Sequence, residues 1–401
     1  MEQTDYILTA KCFSGLEELL AKELTGIGAA EVVPMRRAVR FRGDREMIVR
    51  ANLWSRTALS ILQEVHNFHF TGKDDFYDRM RSVEWDRLFD VERIISVTPV
   101  AHRSELFKNT MFLAQLTKDA IVDHFRDKTG KRPSVDTRDA EVRIHVFVNN
   151  DHCMVSLDSS GDPLFKRGYR KDGLTAPLNE TLAAGLIMLS GWDKESNFID
   201  PMCGSGTFAV EAAMLAADMA PGSLRKTFGF QYWKDFDPGI HSRMLEEAKQ
   251  RQRPVKAAIL ASDVNVKGLD VARQNVMNAG FLGPVTVQRN DFFNFTPPRG
   301  GGWMIMNPPY GHRIRQDNVG EFYKKIGDTL KQHFQGFRAG IISQELNGIK
   351  NVGLKPKIRQ KVFNGPLECL FVVYELFSGT HKDHVISTRP KRPRLPSAGA
   401  E

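Results

Sequence analysis

The sequence predicts an α/β fold in which a mostly parallel sheet, followed by a C-terminal antiparallel hairpin, fills the second half of the chain. From residue 179 onward, short apolar runs of strand length alternate with amphipathic helical segments, a pattern typical of a parallel sheet covered by helices. Near the end, two strand-like runs are joined through Asn364 and Gly365, which favours a tight antiparallel turn. Before residue 160, helices and alternating strands indicate smaller α+β units.

Composition limits the class of protein. The 401 residues suffice for two or three domains, and an apolar content of 41% allows packed cores. The net charge of +8 favours a polyanionic partner, although many proteins with such a moderate excess bind no nucleic acid. We find no signal-peptide pattern at the N-terminus and no run of apolar residues long enough to span a membrane. We therefore expect a cytoplasmic protein with no membrane partner. The sequence does not reveal the oligomeric state, and a monomer without an obligatory protein partner is the default expectation.

The cysteines carry no metal-binding or redox pattern. They are far apart in the chain and form no CxxC pair. Reduced, buried thiols in a cytosolic protein are the expectation, and no metal site is predicted. The four residues are Cys12, Cys153, Cys203 and Cys369.

The first 60 residues are predicted to form a small α+β unit with a basic surface. Residues 5–10 are strand-like, and Ser14 is expected to cap the helix that follows, whose leucines recur at helical spacing. Around Val39 and Phe41 an alternating pattern points arginines outward. That charged face fits an RNA-facing surface and an ordinary solvated surface about equally well.

Residues 61–160 are predicted to form a second small unit. Asn109 can cap a helix that runs to about Lys128, and Gly130 can end it. The stretch 141–148 alternates apolar and polar residues, and the polar turn 149–151 leads it back into a second strand, which predicts a hairpin. The pattern breaks from residue 159, so the residues that follow, to about 178, are expected to connect the two halves.

A glycine turn follows the first predicted strand of the second half. The stretch IDPMCGSGTFAVEAA covers 199–213 and places Gly204 and Gly206 between a strand and a helix. Glycines permit a tight turn and a close approach of a ligand to the backbone, and the helix N-terminus favours a negative group. The GxGxxA pattern is a weak signal by itself, because a plain tight turn gives the same residues.

Polar residues at the next strand ends strengthen the signal. Asp263 ends the second strand, displaced along the sequence by an insertion at 221–254, and its carboxylate could hold a ribose diol. Asn290 and Asp291 end the third strand, where an acid would suit an adenine amino group. Ligands of open parallel sheets bind at the carboxyl ends of the strands, so these positions are expected to converge.

The fourth strand ends in NPPY, residues 307–310. Asn307 offers a side-chain carbonyl, and Pro308 offers a backbone carbonyl whose direction is fixed by two proline rings, its own and that of Pro309. Two fixed acceptors could orient an amino group whose lone pair is delocalised as it attacks a methyl donor. Tyr310 could stack on the presented base. A simple loop-breaking role for the prolines would explain neither the asparagine nor the tyrosine.

Together, DPMCGSGT and NPPYG resemble the motifs of the class I S-adenosylmethionine-dependent amino-methyltransferases. The stretches KCFSGLEELLAKEL, KDAIVDHFRDKTGKRPSV, FKRGYRKDGLTAPLNETLAAGLI and WKDFDP resemble the THUMP-domain RNA methyltransferases, most closely the large-subunit (23S) ribosomal RNA guanine-N2 type. The resemblance implies a Rossmann-like methyltransferase domain behind two domains that bind RNA. The expected parts are a ferredoxin-like domain at 1–60, a THUMP domain at 61–160, a linker at 161–178, the methyltransferase domain at 179–386 and a disordered basic tail at 387–401.

The same resemblance implies roles for the strand-end residues. The target amine would be held by Asn307, Pro308, Pro309 and Tyr310. The cofactor S-adenosylmethionine would be bound by Asp200, Pro201, Cys203, Gly204, Gly206, Thr207, Asp263, Asn290, Asp291 and Asn307. Cys203 is expected to be structural rather than nucleophilic, and His312 is expected to be a surface residue rather than a base. No metal is needed for this chemistry.

Other functions compete with RNA methylation. NPPY would serve a DNA adenine-N6 or a protein-glutamine methyltransferase equally well, but the long arginine-containing N-terminal half favours RNA. An RNA-binding protein with an inactive methyltransferase domain is a further alternative, which the complete set of strand-end residues disfavours. A nicotinamide-dependent dehydrogenase is disfavoured by NPPY and by the distance from the glycines to Asp263.

Overall fold

The computed structural model describes residues 5–170, 178–309 and 319–377. Within them the strands form two seven-stranded sheets, one in each half of the chain. The predicted tail at 387–401 lies outside the described residues. No helix in the described ranges is long and apolar enough to cross a membrane.

The first half combines strands and helices in mixed order. Its strands are β1 (Tyr6–Cys12), β2 (Ala30–Met35), β3 (Ala38–Gly43), β4 (Ala58–His69), β5 (Ile95–His102), β6 (Val142–Asn149) and β7 (His152–Asp158). Its helices are α1 (Glu17–Gly26), α2 (Arg45–Trp54), α3 (Lys73–Ser82), α4 (Trp85–Leu88) and α5 (Thr110–Thr129).

The second half alternates strands and helices as predicted, and ends in the predicted hairpin. Its strands are β8 (Phe198–Asp200), β9 (Ile259–Asp263), β10 (Val285–Arg289), β11 (Gly302–Met306), β12 (Phe337–Ser343), β13 (Ile358–Asn364) and β14 (Leu367–Glu375). Its helices are α6 (Glu180–Ser190), α7 (Thr207–Ala216), α8 (Pro238–Gln250), α9 (Val266–Asn278) and α10 (Val319–His333). The α/β prediction is confirmed.

One strand joins the two small units of the first half. The order of the first sheet is β2-β3-β1-β4-β7-β6-β5, so β4 lies at its centre, with antiparallel partners β1 and β7. The expected boundary between residues 60 and 61 falls inside β4. The two units therefore share one continuous sheet, and the first half is held together by backbone hydrogen bonds as well as by its core.

Local features of the first half follow the sequence with one exception. Asn109 caps α5 by accepting a hydrogen bond from the Met111 amide (2.9 Å), and Gly130 ends the helix at φ 70°. The expected cap at Ser14 is wrong. The amide of Leu16 donates to the carbonyl of Phe13, so Ser14 lies within a turn, and α1 starts at Glu17 without a side-chain cap.

The second sheet reverses its strand order beside β8. The order is β10-β9-β8-β11-β12-β14-β13, and the five strands from β10 to β12 run parallel. The chain moves outward from β8 through β9 to β10 and then returns to the other side of β8 as β11. Such a reversal leaves a crevice at the carboxyl ends of the two central strands.

The insertion (residues 221–254) packs against the first half rather than against the second sheet. Phe230 and Trp233 are buried in the hydrophobic core of the first half. The Lys234 amide donates to the Leu88 carbonyl (2.9 Å), and Asp235 forms an ion pair with Arg45 (3.2 Å) on α2. The insertion thus fixes the first half to the sheet that carries the candidate site.

Candidate active site

Four parallel strands bring the predicted site residues to one edge of the second sheet. Asp200, the last residue of β8, pairs with Ala261 of β9. Asp263, the last residue of β9, pairs with Arg289 of β10, so the two residues after β10 follow at the same edge. On the other side of β8 lies β11, and Asn307 comes directly after it. The structure therefore brings the strand-end residues together around the crevice between β8 and β11.

The glycine turn is shaped by close packing beneath it. Gly204 and Gly206 have φ values of 50° and 75°, a region that favours glycine. A Cβ atom on Gly206 would lie 3.1 Å from the Cβ of Ala272 on α9. A Cβ atom on Gly268, also on α9, would lie 3.1 Å from the carbonyl oxygen of Gly204. Small residues on both sides let α9 support the turn directly.

Asp263 holds the glycine turn through its carboxylate. The amide of Gly204 donates to Oδ2 (2.9 Å) and the amide of Asn265 donates to Oδ1 (2.9 Å). The amide of Cys203 donates to the backbone carbonyl of Ser262, one residue earlier (2.9 Å). Each carboxylate oxygen keeps further acceptor capacity, so a half-buried Asp263 can hold the turn and still accept ligand hydroxyls.

Asp200 is the unusual residue of the site. Its side chain is buried, with 1% of the residue exposed, and neither carboxylate oxygen forms a hydrogen bond of normal geometry within the described ranges. Burial, and then the negative charge of Asp263, raise the pKa of Asp200 well above its usual range; the Ala209 amide opposes them more weakly. A buried carboxylate without a partner is costly. The site therefore holds an acceptor that a cationic ligand would satisfy.

The other residues of the first strand end are structural in their contacts. Burial raises the pKa of the Cys203 thiol far above its ordinary value, and the carboxylates of Asp200 and Asp263 add to the effect. That environment suits a packed thiol rather than a nucleophile. Pro201 is buried. The hydroxyl of Thr207, the first residue of α7, accepts a hydrogen bond from Nη2 of Arg170 (2.7 Å).

The end of β10 forms a small capped turn. Asp291 accepts hydrogen bonds from the Phe293 amide (3.1 Å) and from Nδ2 of Asn294 (3.0 Å), and a single 3-10 turn covers residues 292–294. The amide of Asn290 donates to the Asp263 carbonyl (3.2 Å). Both side chains are half-buried at the rim of the edge, so they are accessible to a ligand bound there.

The end of β11 carries two oxygen acceptors for which the described part of the chain supplies no hydrogen-bond donor: the side-chain oxygen of Asn307 and the backbone oxygen of Pro308. Its last residues, Met304 to Met306, are fully buried, which fixes where the strand ends. Asn307 is half-buried and Pro308 is buried, and the Asn307 side chain has no hydrogen-bond partner among the described residues. Tyr310 and His312, to which we assigned expected roles, lie outside the described ranges.

Several supporting residues were missed by the sequence reasoning. Asn265 caps α9, and Nδ2 of Asn275 donates to the Ser205 carbonyl inside the glycine turn (2.9 Å). Arg170 lies in the stretch FKRGYRKDGLTAPLNETLAAGLI, to which the sequence analysis assigned no individual site role. Asn265 directly precedes a predicted helix, which is a recognisable capping signal, whereas the contacts of Asn275 and Arg170 depend on tertiary packing. Within the described ranges, no group of three or more His, Cys, Asp or Glu residues could hold a metal ion.

A glycine turn at a topological reversal, acids at the following strand ends and NPP after β11 define the class I methyltransferase type of site. Comparison with known families agrees. Residues 167–372 match the RMKL-like methyltransferase domain, residues 7–62 the RlmL ferredoxin-like domain, and residues 71–158 the THUMP domain. The chain belongs to the RMKL-like methyltransferase family.

Sequence relatives are similar over nearly the whole chain. A Synechocystis sp. protein, provisionally named an RNA methyltransferase, is 37% identical over 365 residues, which cover 90% of this chain and 95% of the relative. The ribosomal RNA large subunit methyltransferase K/L of Methylococcus capsulatus is 36% identical, over 93% of this chain and 51% of the relative. The chain spans about half the length of the K/L relatives that it matches.

Solved structures share the fold. A protein provisionally described as a methyltransferase, crystallised with SAH, has a TM-score of 0.84 and 26% identity, covering 95% of this chain and all of that one. A possible methylase from Clostridium difficile 630 has a TM-score of 0.83 and 28% identity, covering 94% of this chain and all of that one. SAH is the demethylated form of S-adenosylmethionine. The chain is accordingly a methyltransferase that uses S-adenosylmethionine.

The residues of this chain fit that cofactor. S-adenosylmethionine carries an ammonium group, which is the kind of partner that the orphaned carboxylate of Asp200 lacks. Its ribose offers two hydroxyl donors for the remaining acceptor capacity of Asp263. The carboxylates of Asp200 and Asp263 are acceptors, and the ammonium and hydroxyl groups of the cofactor are donors. The two sets therefore complement each other.

Proposed function

We propose that this protein methylates an exocyclic amino group of a nucleobase in RNA, and that guanine N2 in large-subunit ribosomal RNA is the target. The observation that carries the proposal is the position of Asn307 and Pro308, directly after β11 and beside the strand that ends in Asp200. Two oxygen acceptors next to a cofactor site suit an NH₂ group better than a hydroxyl or carbon nucleophile.

Each strand end has a separate task in this proposal. Asp200 binds the ammonium group of the cofactor, Asp263 binds its ribose, and Asn290 with Asp291 binds the adenine. S-adenosylmethionine supplies an electrophilic methyl carbon when it is bound. The glycine turn and its support by α9 fix the position of these groups before the substrate arrives, so little reorganisation is needed.

Asn307 and Pro308 act on the substrate. An aromatic amine is a weak nucleophile, because its lone pair is delocalised into the ring. When both N–H groups donate to the side-chain oxygen of Asn307 and the backbone oxygen of Pro308, electron density shifts towards nitrogen and its lone pair turns towards the methyl donor. The nitrogen would gain one bond to the methyl carbon and lose one proton, while the bond between that carbon and the sulfur of the donor would break with its electron pair left on sulfur. Solvent accepts that proton in our proposal.

RNA is favoured as the substrate by the first half of the chain. That half contains the ferredoxin-like and THUMP matches, and the curated relatives are named for RNA or ribosomal RNA. The insertion fixes this half to the catalytic sheet, so RNA bound there would reach the site in a defined orientation. Unpaired or flipped bases expose their amino groups, and recognition of this kind relies on RNA shape rather than on duplex sequence.

The substrate can be identified directly. The protein is incubated with labelled S-adenosylmethionine and total RNA, DNA and protein, and the labelled product is mapped by mass spectrometry. We expect N2-methylguanine in large-subunit ribosomal RNA. Methylation of adenine N6 in DNA is the second candidate function, since a structural neighbour from Listeria monocytogenes, with a TM-score of 0.82 and 25% identity, is named as a predicted N6-adenine-specific DNA methylase. Labelled adenine in DNA would favour that function.

A substitution tests the role of Asn307. Asn307→Ala is expected to abolish methyl transfer while RNA binding and SAH binding persist. Asn351→Ala, which changes an exposed asparagine bonded only to the carbonyl of Asn347 within the described ranges, is the matched control and should keep full activity. Turnover by Asn307→Ala at the unmodified rate would refute the amine-orienting role.

A further inference from the structure

A large cleft opens beside the glycine turn. It has a volume of about 860 Å³ and lies where the connector (residues 159–170), the insertion and the methyltransferase half meet. Its walls include Phe165, Lys166, Arg170, Ser205, Lys226 and Asn364. Ser205 lies between the two glycines of the turn, so the cleft reaches the glycine turn itself.

Two arginines fix the shape of the cleft wall. Arg225, from the insertion, donates four hydrogen bonds to carbonyl oxygens of the connector, at 2.8–3.0 Å: those of Ser160, Asp162, Pro163 and Lys166. Arg167 is 2% exposed, donates to the Arg56 and Leu164 carbonyls and forms an ion pair with Glu211. Their charges serve the protein itself, and the wall that they hold is formed before any ligand binds.

Two lysines on the wall, Lys166 and Lys226, are exposed to a ligand. Lys226 is exposed and forms no ion pair within the described residues. The side chain of Lys166 is 57% exposed and shares Asp162 with Arg143. Arg170 is committed to Glu180 and Thr207. Among the lining residues that the structure describes, five are cations and two, Asp162 and Glu180, are anions, so this part of the wall favours an anionic ligand.

An aromatic ring accompanies these lysines. Phe165 lines the cleft, is half-buried, and packs against no other aromatic ring within the described part of the chain. An accessible ring beside flexible cations is the arrangement that single-stranded nucleic acid requires, because bases stack on rings while phosphates bind ammonium groups.

We propose that this cleft binds a single-stranded segment of RNA adjacent to the target nucleotide, with Lys166 and Lys226 on phosphates and Phe165 stacked on a base. The inference rests on the proposed function and adds to it the path by which RNA approaches the site. An unpaired segment is required, because a base can stack on the Phe165 ring only when it is released from its own helical stack. The cleft is separate from the basic strands of the first half, which would bind more distant parts of the RNA.

Binding measurements on the full chain test the cleft. The probe is a fluorescein-labelled single-stranded RNA 12-mer, followed by anisotropy between 50 and 200 mM KCl, about the range over which phosphate contacts dominate. The double variant Lys166→Ala/Lys226→Ala should weaken binding about tenfold and reduce the salt slope by about 0.7 for each lost contact. Phe165→Ala should weaken binding about tenfold, and Phe165→Tyr should restore it. The control Lys256→Ala/Lys331→Ala removes two lysines whose side chains pair with Glu195 and Asp328.

The outcomes separate the cleft from the proposed function. SAH binding must survive in all variants, which shows that the cofactor site is intact. If the unmodified chain binds the RNA but the cleft variants match the control pair, the cleft proposal is overturned and RNA methylation stands. If the unmodified chain binds no RNA and labels none, both are overturned. Equal binding of a single-stranded DNA of the same sequence, together with labelled DNA, would contradict the assignment of RNA.

Discussion

Two buried carboxylates of the second half differ in whether they have hydrogen-bond partners. Glu211 on α7 is fully buried, but one of its oxygens accepts from Nε of Arg167 (3.4 Å) and from the hydroxyl of Tyr169 (3.2 Å). Asp200, at the end of β8, is almost equally buried and accepts from neither a side chain nor an amide at normal geometry within the described ranges. The paired acid joins the connector to α7. The unpaired acid is left for a ligand.

The comparison separates architecture from function. Removing one member of a buried ion pair lowers stability, because the other member is left as an uncompensated buried charge. A buried charge without a partner lowers stability and is retained where a ligand provides the missing contact. Substitutions at the two positions should therefore change stability in opposite directions.

The largest effect is expected at the paired acid. Glu211→Ala leaves the buried Arg167 guanidinium without its counter-charge, and Nε of Arg167 and the Tyr169 hydroxyl without their acceptor, which should lower the free energy of unfolding by about 3–5 kcal/mol. The thermal midpoint checks this. Glu247→Ala, whose ion pair with Arg50 is partly exposed at 4.0 Å, is the control and should change stability by less than about 1 kcal/mol. Equal shifts for the two variants would remove the basis of the comparison.

Asp200→Asn should change the free energy of unfolding in the opposite direction to Glu211→Ala. We expect the cofactor-free protein to gain about 1–3 kcal/mol, because the substitution removes a buried charge that has no partner. SAH affinity should fall about 10- to 100-fold, because the ammonium group loses a charged acceptor. Calorimetry and thermal denaturation of the same sample measure both. A variant that loses stability and keeps its SAH affinity would show that Asp200 is structural.

The pH dependence sharpens this point. The pKa of Asp200 is raised in the folded state, so the unfolded chain releases this proton first as the pH increases. The free energy of unfolding of the cofactor-free protein should therefore fall between pH 4, near the unfolded pKa, and the raised folded pKa. Asp158, with a pKa raised by burial to about 6, adds a similar component. The difference between unmodified protein and Asp200→Asn isolates the contribution of Asp200, and a difference that is constant with pH would contradict it.

A smaller effect is expected at the glycine turn. Gly206→Ala places a methyl group at φ 75° and 3.1 Å from the Cβ of Ala272, whereas Gly191→Ala has the same φ and nothing within 4 Å. The left-handed conformation should cost about 1–2 kcal/mol at both positions. The crowding should add to that cost at Gly206, and only Gly206→Ala should weaken SAH binding. Identical thermal midpoints and affinities would mean that α9 does not support the turn.

The smallest effects concern helix caps, where a partnered and an unpartnered side chain can again be compared. Asn109→Ala removes the acceptor of the Met111 amide and should cost about 1 kcal/mol. Ser14→Ala should change stability by less than about 0.5 kcal/mol, because α1 has no side-chain cap. Hydrogen exchange in the first turn of each helix reports the same contrast, and rapid exchange in α1 of Ser14→Ala alone would argue for a cap.

The sequence predicts the second half well, because its signals are local. The glycines at 204 and 206, the acids at 263 and 291, and the turn at Asn364 each lie within a few residues of the strands that they end. Once the strands are parallel, their carboxyl ends share one edge, so the candidate site follows from the order of the elements. The alternation in 141–148 predicted β6 for the same reason: burial repeats every second residue.

Other features depend on contacts between distant residues and were not predicted. The burial of β4 does not alternate strictly, and its pairing with β7 shifts register between Glu64 and His66, so nothing in the sequence marked it as the strand that joins two units. The insertion gave no sign that Phe230 and Trp233 would pack with the first half. The buried Asp200 carboxylate has no hydrogen-bond partner at normal geometry within the described ranges. This depends on which side chains surround it in the folded chain, so the sequence could not predict it.

A crystal structure of the protein with SAH tests the central claim most directly. We predict that the amino group of SAH lies about 3 Å from a carboxylate oxygen of Asp200, with the sulfur facing Asn307 and Pro308 across the crevice between β8 and β11. SAH bound at another edge of the sheet, or at this edge with its amino group away from Asp200, would contradict the account.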